Sequence, residues 1–142
     1  MIVDANILLY AADESSPFHA TASRWLTGVL RGVTRVGLPW QSLTAFQRIA
    51  TRSRAFSEPL SPAQAWAIVE GWLETPTAWI PKETERHQEV FGALISRYQV
   101  VGNLVTDANL AALAIEHGVP VASADTDFAR FTEVQWINPL AS

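Results

Sequence analysis

The sequence predicts a three-layer α/β/α fold around a central parallel sheet of about four to five strands. Short apolar or β-branched segments alternate along the chain with longer segments whose apolar residues recur at helical spacing. Strands that alternate with helices form parallel sheets, because each crossover helix packs on a face of the sheet. The 142 residues, 49% of them hydrophobic, suffice for one core. We therefore expect a single domain over residues 1–142.

The first half of the chain predicts two strands and three helices. Residues 1–4 and 33–38 are apolar or β-branched segments typical of buried strands. Residues 6–12 continue from the first strand as an apolar helix. A second helix runs to residue 30, with Ser16 as its predicted cap and Pro17 in its first turn, and residues 39–53 form a third.

The second half repeats the alternation. Ser61 and Pro62 give the same cap-and-proline start to a helix that reaches residue 73, and residues 77–80 form a strand. Helices follow at residues 83–98 and 103–116, the second ended by Gly118 and Pro120. Residues 119–122 and 134–137 are the last strands, with a helical turn at 128–131 between them.

Composition excludes several classes of protein. The chain contains no Cys, so disulfide frameworks, zinc-cysteine sites and thiolate nucleophiles are excluded, and any metal must have oxygen or imidazole ligands. No apolar run approaches the roughly 20 residues that span a bilayer, and no basic segment precedes a secretory apolar region. We expect a cytoplasmic protein with no membrane association.

Charge is unevenly distributed along the chain. The net charge is −4, yet residues 15–57 contain no acidic residue. Six of the ten basic residues lie there: Arg24, Arg31, Arg35, Arg48, Arg52 and Arg54. This asymmetry fits a surface that faces phosphates beside a cluster of carboxylates, and it fits equally well a set of solvated helix faces.

Four acidic residues occupy positions where a charge is costly. Asp4 ends a predicted central strand, Asp107 shares a helix face with apolar residues, and Asp125 and Asp127 directly follow another strand. Individually, Asp4 could cap the next helix, Asp107 could pair with an Arg, and the other two could serve a turn. If all four converge, their repulsion requires a cation, and oxygen ligands favour Mg²⁺ or Mn²⁺. Such a site suits hydrolysis of a phosphodiester.

Competing sites are weakly supported. The chain has neither a G-x-S-x-G motif nor a phosphate-binding glycine loop. His19, His87 and His117 lack ligand spacing, and we interpret them as ordinary surface or packing residues. We expect most of the six Trp residues to pack in the core or at interfaces. Trp40, near the arginines, is a candidate for stacking on nucleic acid bases.

Three segments together carry a resemblance to a known family. They are Ile2-Val3-Asp4-Ala5-Asn6, then the run from Leu104 to Ala114 that contains Thr106-Asp107-Ala108, and Ser123-Ala124-Asp125-Thr126-Asp127-Phe128. In this order and spacing they closely resemble PIN domains, in particular the VapC toxins of bacterial VapBC toxin–antitoxin modules. The similarity spans nearly the whole chain.

The resemblance implies a function and a site. It implies a Mg²⁺- or Mn²⁺-dependent endoribonuclease that acts on structured RNA, often tRNA or rRNA, and is silenced by a cognate VapB antitoxin. Asp4, Asp107 and Asp125 match the metal-site acids of the family, and Asp127 matches a fourth acid often found nearby. Separately from the resemblance, the stretch without acidic residues makes Arg48 and Arg52 the expected phosphate contacts, at positions i and i+4 on one face of the third predicted helix.

One position departs from the family pattern. A Glu usually precedes an Arg by three residues on the helix after the second strand, and alignment on Arg48 puts Ala45 there. Gln47 lies roughly 200° around the helix from that position and does not replace the Glu. This loss keeps open a catalytically impaired PIN-like module that only binds RNA or a partner. A carboxylate-dependent phosphohydrolase of small substrates ranks last, since Asn6 replaces the second Asp such enzymes use.

Surface composition also predicts partners. With a mean hydropathy of +0.11 and six Trp, the chain is unlikely to bury all its apolar side chains alone, so we expect a homodimer. The resemblance to PIN-type toxins, which form homodimers, implies the same assembly. It also implies that an antitoxin segment would lie over the acidic site. The predicted helices over residues 16–30 and 39–53, with Trp25, Leu26, Trp40 and Phe46, are the candidate antitoxin groove.

Overall fold

A five-stranded parallel sheet forms the centre of the computed structural model, which describes residues 1–52 and 58–141. The strand order is β3-β2-β1-β4-β5, and every neighbouring pair is parallel. The strands are β1 (Ile2–Val3), β2 (Val36–Gly37), β3 (Ala78–Trp79), β4 (Val121–Ala122) and β5 (Trp136–Ile137). The predicted fold class and strand count are confirmed, although each strand is shorter than its apolar segment.

Helices cover both faces of this sheet. Within the described residues they are α1 (Ala5–Ala12), α2 (His19–Leu30), α3 (Trp40–Ala50), α4 (Pro62–Leu73), α5 (His87–Tyr98) and α6 (Leu104–His117), with a 3₁₀ turn at Thr126–Arg130. Successive side chains of a strand point to opposite faces, so Ile2 packs into the core beneath α5 and α6 while Val3 packs into the core beneath α1 to α4. These two cores give the three layers.

Two helix ends form as their sequence signals predict. Ser61 accepts a hydrogen bond from the Gln64 amide, and the Gln64 side chain accepts one from the Ser61 amide, which makes a capping box at the start of α4. Gly118 ends α6 with φ of 65°, a left-handed conformation that glycine adopts without strain.

Two predicted helix starts are wrong. The Ser16 hydroxyl accepts from the Phe18 amide within a turn, so α2 begins only at His19 and Ser16 does not cap it. The helix predicted from residue 83 begins at His87, and the Thr84 amide ahead of it donates to the Glu116 side chain in α6. In both cases the residues directly before the helix form a separate turn.

The third helix ends earlier than predicted. It closes at Ala50, so Arg48 lies in its last turn while Arg52 lies beyond its end and does not share a helix face with Arg48. Arg54 and the predicted end of this helix at residue 53 fall outside the described residues. The basic stretch is therefore described only as far as residue 52.

The candidate antitoxin groove also needs correction. Leu26 is 2% exposed and Phe46 is completely buried, because both pack into the core beneath α1 to α4. Trp25 is half-buried, and of the four side chains named for the groove Trp40 is the exposed one, with 45% of its area accessible. Among the described residues, no helix is both long and apolar enough to cross a membrane.

Gly37 tests how closely the central strands approach. A Cβ at this position would lie 3.0 Å from Ile2 Cγ1 and 3.1 Å from the Met1 carbonyl oxygen, closer than normal packing permits. We expect Gly37→Ala to lower the free energy of unfolding by about 1–3 kcal/mol through overpacking. Urea denaturation followed by circular dichroism measures this change. Gly92→Ala in α5, where a Cβ meets nothing within 4 Å, should be neutral or stabilising, and equal effects of the two substitutions would contradict this account.

Candidate metal centre and its cleft

Asp4 stands where β1 turns into α1. Its Oδ1 accepts a hydrogen bond of 2.8 Å from the Ala5 amide and so caps the helix, while its Oδ2 accepts one of 2.7 Å from the Ser123 hydroxyl. Burial raises the pKa of Asp4 and the charge of Asp125 raises it further, whereas the two hydrogen bonds partly oppose that rise. Asp4 therefore caps α1, one of the roles considered for it from the sequence, and its carboxylate lies at the carboxyl end of the central strand β1.

Ser123 connects the ends of the two central strands. Its hydroxyl donates to Asp4 and accepts from the Asp125 amide at 3.0 Å and from the Asn6 side chain at 3.1 Å. The side-chain oxygen of Asn6, Oδ1, in turn accepts from the Ala124 amide at 3.1 Å. We did not predict these supporting roles, although both residues stand in the segments that carry the family resemblance.

Asp107, Asp125 and Asp127 form a close group. One carboxylate oxygen from each residue lies within 4.8 Å of the others, and all three side chains are partly buried. Asp107 comes from the first turn of α6, and the other two come from the loop and 3₁₀ turn after β4. The structure thus brings together three of the four predicted acids, and Asp4 lies close enough for its charge to act on Asp107.

The group carries more negative charge than its surroundings compensate. Burial, followed by the charges of Asp125, Asp4 and Asp127, raises the pKa of Asp107 to about 7. Among the described residues, the ion pair recorded for this group joins Arg130 Nε to Asp127 at 3.7 Å on the surface. The anticipated pairing of Asp107 with an Arg does not occur there. Close oxygen ligands with unbalanced charge fit a hard divalent cation such as Mg²⁺ or Mn²⁺.

A cleft of about 350 Å³ opens beside Asp4 and Asp107. Ala45 and Arg48 of α3 line the facing wall. Ala45 therefore lies where a longer acidic side chain would point into the cleft. Gln47 instead donates to the Pro62 carbonyl at 3.1 Å, away from the acids, and so does not replace the missing Glu.

The three candidate RNA contacts are placed differently. Arg48 is exposed on the cleft wall. Arg52 is exposed beyond the end of α3, outside the residues that line the cleft. Trp40 directly precedes the cleft residue Gln41, and its ring lies nearly parallel to that of Trp66, with 6.5 Å between the ring centres.

The histidines differ more than the sequence suggests. Nδ1 of His19 lies 3.1 Å from the Tyr10 carbonyl oxygen, and Nε2 of His117 lies 2.7 Å from the Lys82 carbonyl oxygen. These are the packing roles expected of the two residues. His87 instead contacts two side chains of α6, Glu116 and Asn109, in a polar network. The sequence does not reveal these contacts of His87, because Glu116 lies 29 residues away in the chain.

Comparison with known proteins gives one consistent result. The PIN domain family matches residues 1–134. Over 140 residues, which is 99% of the chain, the sequence is 44% identical to Ribonuclease VapC37 of Mycobacterium tuberculosis and covers 97% of that protein. It is 39% identical to Ribonuclease VapC33 of the same species over 99% of this chain and 98% of that one.

Solved structures share the fold at low identity. VapBC2 from Rickettsia felis, crystallised with a DNA fragment from its promoter, superposes with a TM-score of 0.72 at 16% identity over 96% of each chain. VapC20 of Mycobacterium tuberculosis, described as a Sarcin-Ricin loop cleaving toxin, gives a TM-score of 0.67 at 17% identity over 94% of this chain and 98% of that one.

The raised pKa of Asp107 predicts how stability depends on pH in EDTA. Between about pH 4 and pH 7 the folded state holds a proton on Asp107 that the unfolded state releases, so stability falls as the pH rises through this window. Asp107→Asn should flatten that fall and raise the denaturation midpoint above pH 7. Thermal melts at several pH values measure it. Glu70→Gln, an exposed change on α4, should leave the profile unchanged, and a steeper fall in Asp107→Asn would refute the assignment.

Proposed function

The chain belongs to the PIN-domain family, and from this membership we propose that it is an endoribonuclease toxin that hydrolyses structured RNA, such as tRNA or rRNA, with a divalent cation. Relatives that match nearly the whole chain are named ribonucleases. The observation that carries the proposal is the grouping of Asp107, Asp125 and Asp127 beside Asp4 at one edge of the sheet. Residues 1–142 act as a single domain.

The residues present suit a divalent cation. Asp107, Asp125 and Asp127 offer oxygens close enough to share one ion, with Asp4 as the fourth acid. Bound Mg²⁺ or Mn²⁺ supplies electrostatic stabilisation for the charge that develops on a phosphodiester during in-line displacement. Ser123 and Asn6 hold Asp4 and Asp125 in position before any ion or RNA arrives, which reduces the reorganisation needed for catalysis.

Substrate contacts extend from the acids along α3. Arg48 on the cleft wall binds an RNA phosphate and so sets the register of the strand over the acids. Trp40, exposed beside the cleft, stacks on an unpaired base, and Arg52 adds a weaker contact farther along the backbone. Bases that can leave a helix to stack in this way occur in loops, which agrees with a structured RNA as substrate.

A second function is favoured by one observation. Ala45 lies on the cleft wall with no carboxylate in place of the usual Glu, so the cation would be held by fewer charges. A catalytically impaired module that binds RNA or a partner would have this feature. Purified protein incubated with total bacterial RNA, with and without EDTA, distinguishes the two functions through the new 5′ ends. Binding without any EDTA-sensitive cleavage would favour the second.

A VapB-type antitoxin and a second copy of the chain are the proposed partners. The fold neighbours include VapBC2 and a FitAB assembly bound to DNA. An antitoxin segment laid over the cleft would cover Trp40 and place a cationic side chain against the acids. Such a segment would exclude RNA and compete with the metal at once.

Loss of a metal-site carboxylate is the first test of activity. Asp4→Asn or Asp107→Asn should reduce RNA cleavage by at least about 100-fold, because an uncharged amide is a poor ligand for a hard cation. End-mapped cleavage of total RNA gives the rates, and far-UV circular dichroism should show an unchanged fold. Glu70→Gln is the matched charge control. Cleavage at the original rate by either site variant with Mn²⁺ present would refute the assignment.

The arginines are tested through salt dependence. Replacing Arg48 and Arg52 together by Ala should weaken RNA binding and reduce the slope of log K against log salt by roughly 1.5, since two phosphate contacts are removed. Fluorescence anisotropy across a salt series measures the slope. The double variant Arg24→Ala/Arg31→Ala removes two exposed arginines associated with α2 and should keep the slope. Equal slopes in both variants would place the RNA elsewhere.

Restoring the missing carboxylate tests the register of α3. Ala45→Glu points an acid into the cleft with Asp4 and Asp107 and should tighten Mg²⁺ binding several-fold. Titration of RNA cleavage against Mg²⁺ should reach half-maximum at a lower concentration. Gln88→Glu, exposed on α5, adds the same charge outside the cleft and should not shift the curve. A shift to higher Mg²⁺ in Ala45→Glu would contradict the placement.

A further inference from the structure

A buried polar network begins at the carboxylate of Glu116, whose side chain is completely buried in α6. One oxygen accepts from the Thr84 amide at 2.9 Å and from the Thr84 hydroxyl at 2.7 Å. The other oxygen lies 2.5 Å from Nδ1 of His87, the first residue of α5. A buried carboxylate with three polar partners lies outside the metal centre and takes no part in the proposed reaction.

The network continues from His87 to the cleft. Nε2 of His87 lies 2.8 Å from Oδ1 of Asn109, and Nδ2 of Asn109 lies 2.6 Å from Oε1 of Gln41. Nε2 of Gln41 then donates to the Thr106 carbonyl at 2.9 Å. Gln41 lines the cleft, and Thr106 directly precedes Asp107. Three side chains, those of His87, Asn109 and Gln41, therefore connect the start of α5 to the wall of the metal centre.

The fixed ends of the network determine where its protons lie. The Thr106 carbonyl can only accept, so Gln41 turns its amide nitrogen to it and its oxygen to Asn109. Asn109 must then donate to Gln41 and present its own oxygen to His87. Because that oxygen can only accept, Nε2 of His87 carries a hydrogen. The amide orientations thus follow from a backbone group and need no independent assignment.

The other ring nitrogen also shares a hydrogen, because a bare nitrogen against a carboxylate would repel it. Burial alone would raise the pKa of Glu116, but hydrogen bonds from His87 and Thr84 outweigh burial and hold that pKa below its usual value. In the part of the chain that the structure describes, Glu116 is the titratable side chain that contacts His87, and the His87 ring also packs against Phe91.

We propose that His87, held at Nδ1 by Glu116, is a positioning residue of the cleft: through Asn109 it fixes the Gln41 side chain that connects α3 to the turn of α6 carrying Asp107. The proposal rests on the proposed nuclease function, because it assigns the network to spacing the cleft walls. Without the hydrogen on Nε2, Asn109 reverses, and Gln41 loses its bond to Asn109 or to Thr106. The separation of α3 from Asp107 is then no longer fixed.

Nitrogen-15 NMR of the histidine rings tests the protonation independently of activity. In the full chain at pH 7, Nε2 of His87 should resonate as protonated, with His19 and His117, which each contact a backbone carbonyl, as internal references. In Glu116→Gln the new amide donates to Nδ1, so Nδ1 should carry no hydrogen while Nε2 keeps its own. An unprotonated Nε2 in the unaltered protein would overturn the proposal.

Kinetics test the positioning role. His87→Phe and Asn109→Ala should lower kcat for RNA cleavage about tenfold and change KM less than twofold, because small misplacements of reacting groups affect the chemical step most. The Gln41 side-chain amide resonance should also move in both variants. Gln88→Ala, next to His87 but exposed, should change neither. Unchanged kcat in folded variants would overturn the positioning role, whereas absence of cleavage in the unaltered protein would refute the nuclease and leave the NMR result standing.

Discussion

Mutual repulsion of carboxylates at one edge of the sheet is the constraint around which this molecule is organised. Asp4 and Asp125 arrive from neighbouring parallel strands, and Asp107 joins them from a helix that packs on the same strands. No apolar contact can hold such charges together. The hydrogen bonds of Ser123 and Asn6, and the capping bonds from the amides of Ala5 and Asp127, hold Asp4 and Asp125 instead.

The anchoring of the acids also explains why their structural and chemical roles coincide. Asp4 caps α1 and Asp125 accepts from the Asp127 amide at the start of the 3₁₀ turn, which are ordinary duties for Asp residues at these positions. The capping bond occupies Oδ1 in both residues, while Oδ2 of Asp4 accepts from Ser123. Because a carboxylate has about four lone-pair sites, local capping orients each acid and still leaves it lone pairs for a cation.

Sequence patterns predicted the architecture because its signals are local. Ser61 with Gln64 and the left-handed Gly118 mark helix ends through contacts a few residues apart, and Asp4 and Asp107 stand out because a charge interrupts an apolar pattern. The contacts around Glu116 that local patterns miss join residues far apart in the chain. The Thr84 amide donates to Glu116, 32 residues away, and Nδ1 of His87 contacts the same carboxylate. Periodicity carries no information about such pairs.

The order of strands has a consequence for when the site can exist during synthesis. β1 lies at the middle of the sheet, and Ile2 pairs with Val121 across almost the whole chain. A contact of such long sequence separation closes late in folding. The ribosome releases Asp4 before its partner Ser123, which follows 119 residues later, and before its neighbour Asp125. A nascent chain that has not reached these residues therefore holds incomplete pieces of the site, and the cell meets the assembled acids only once Asp127 has been added.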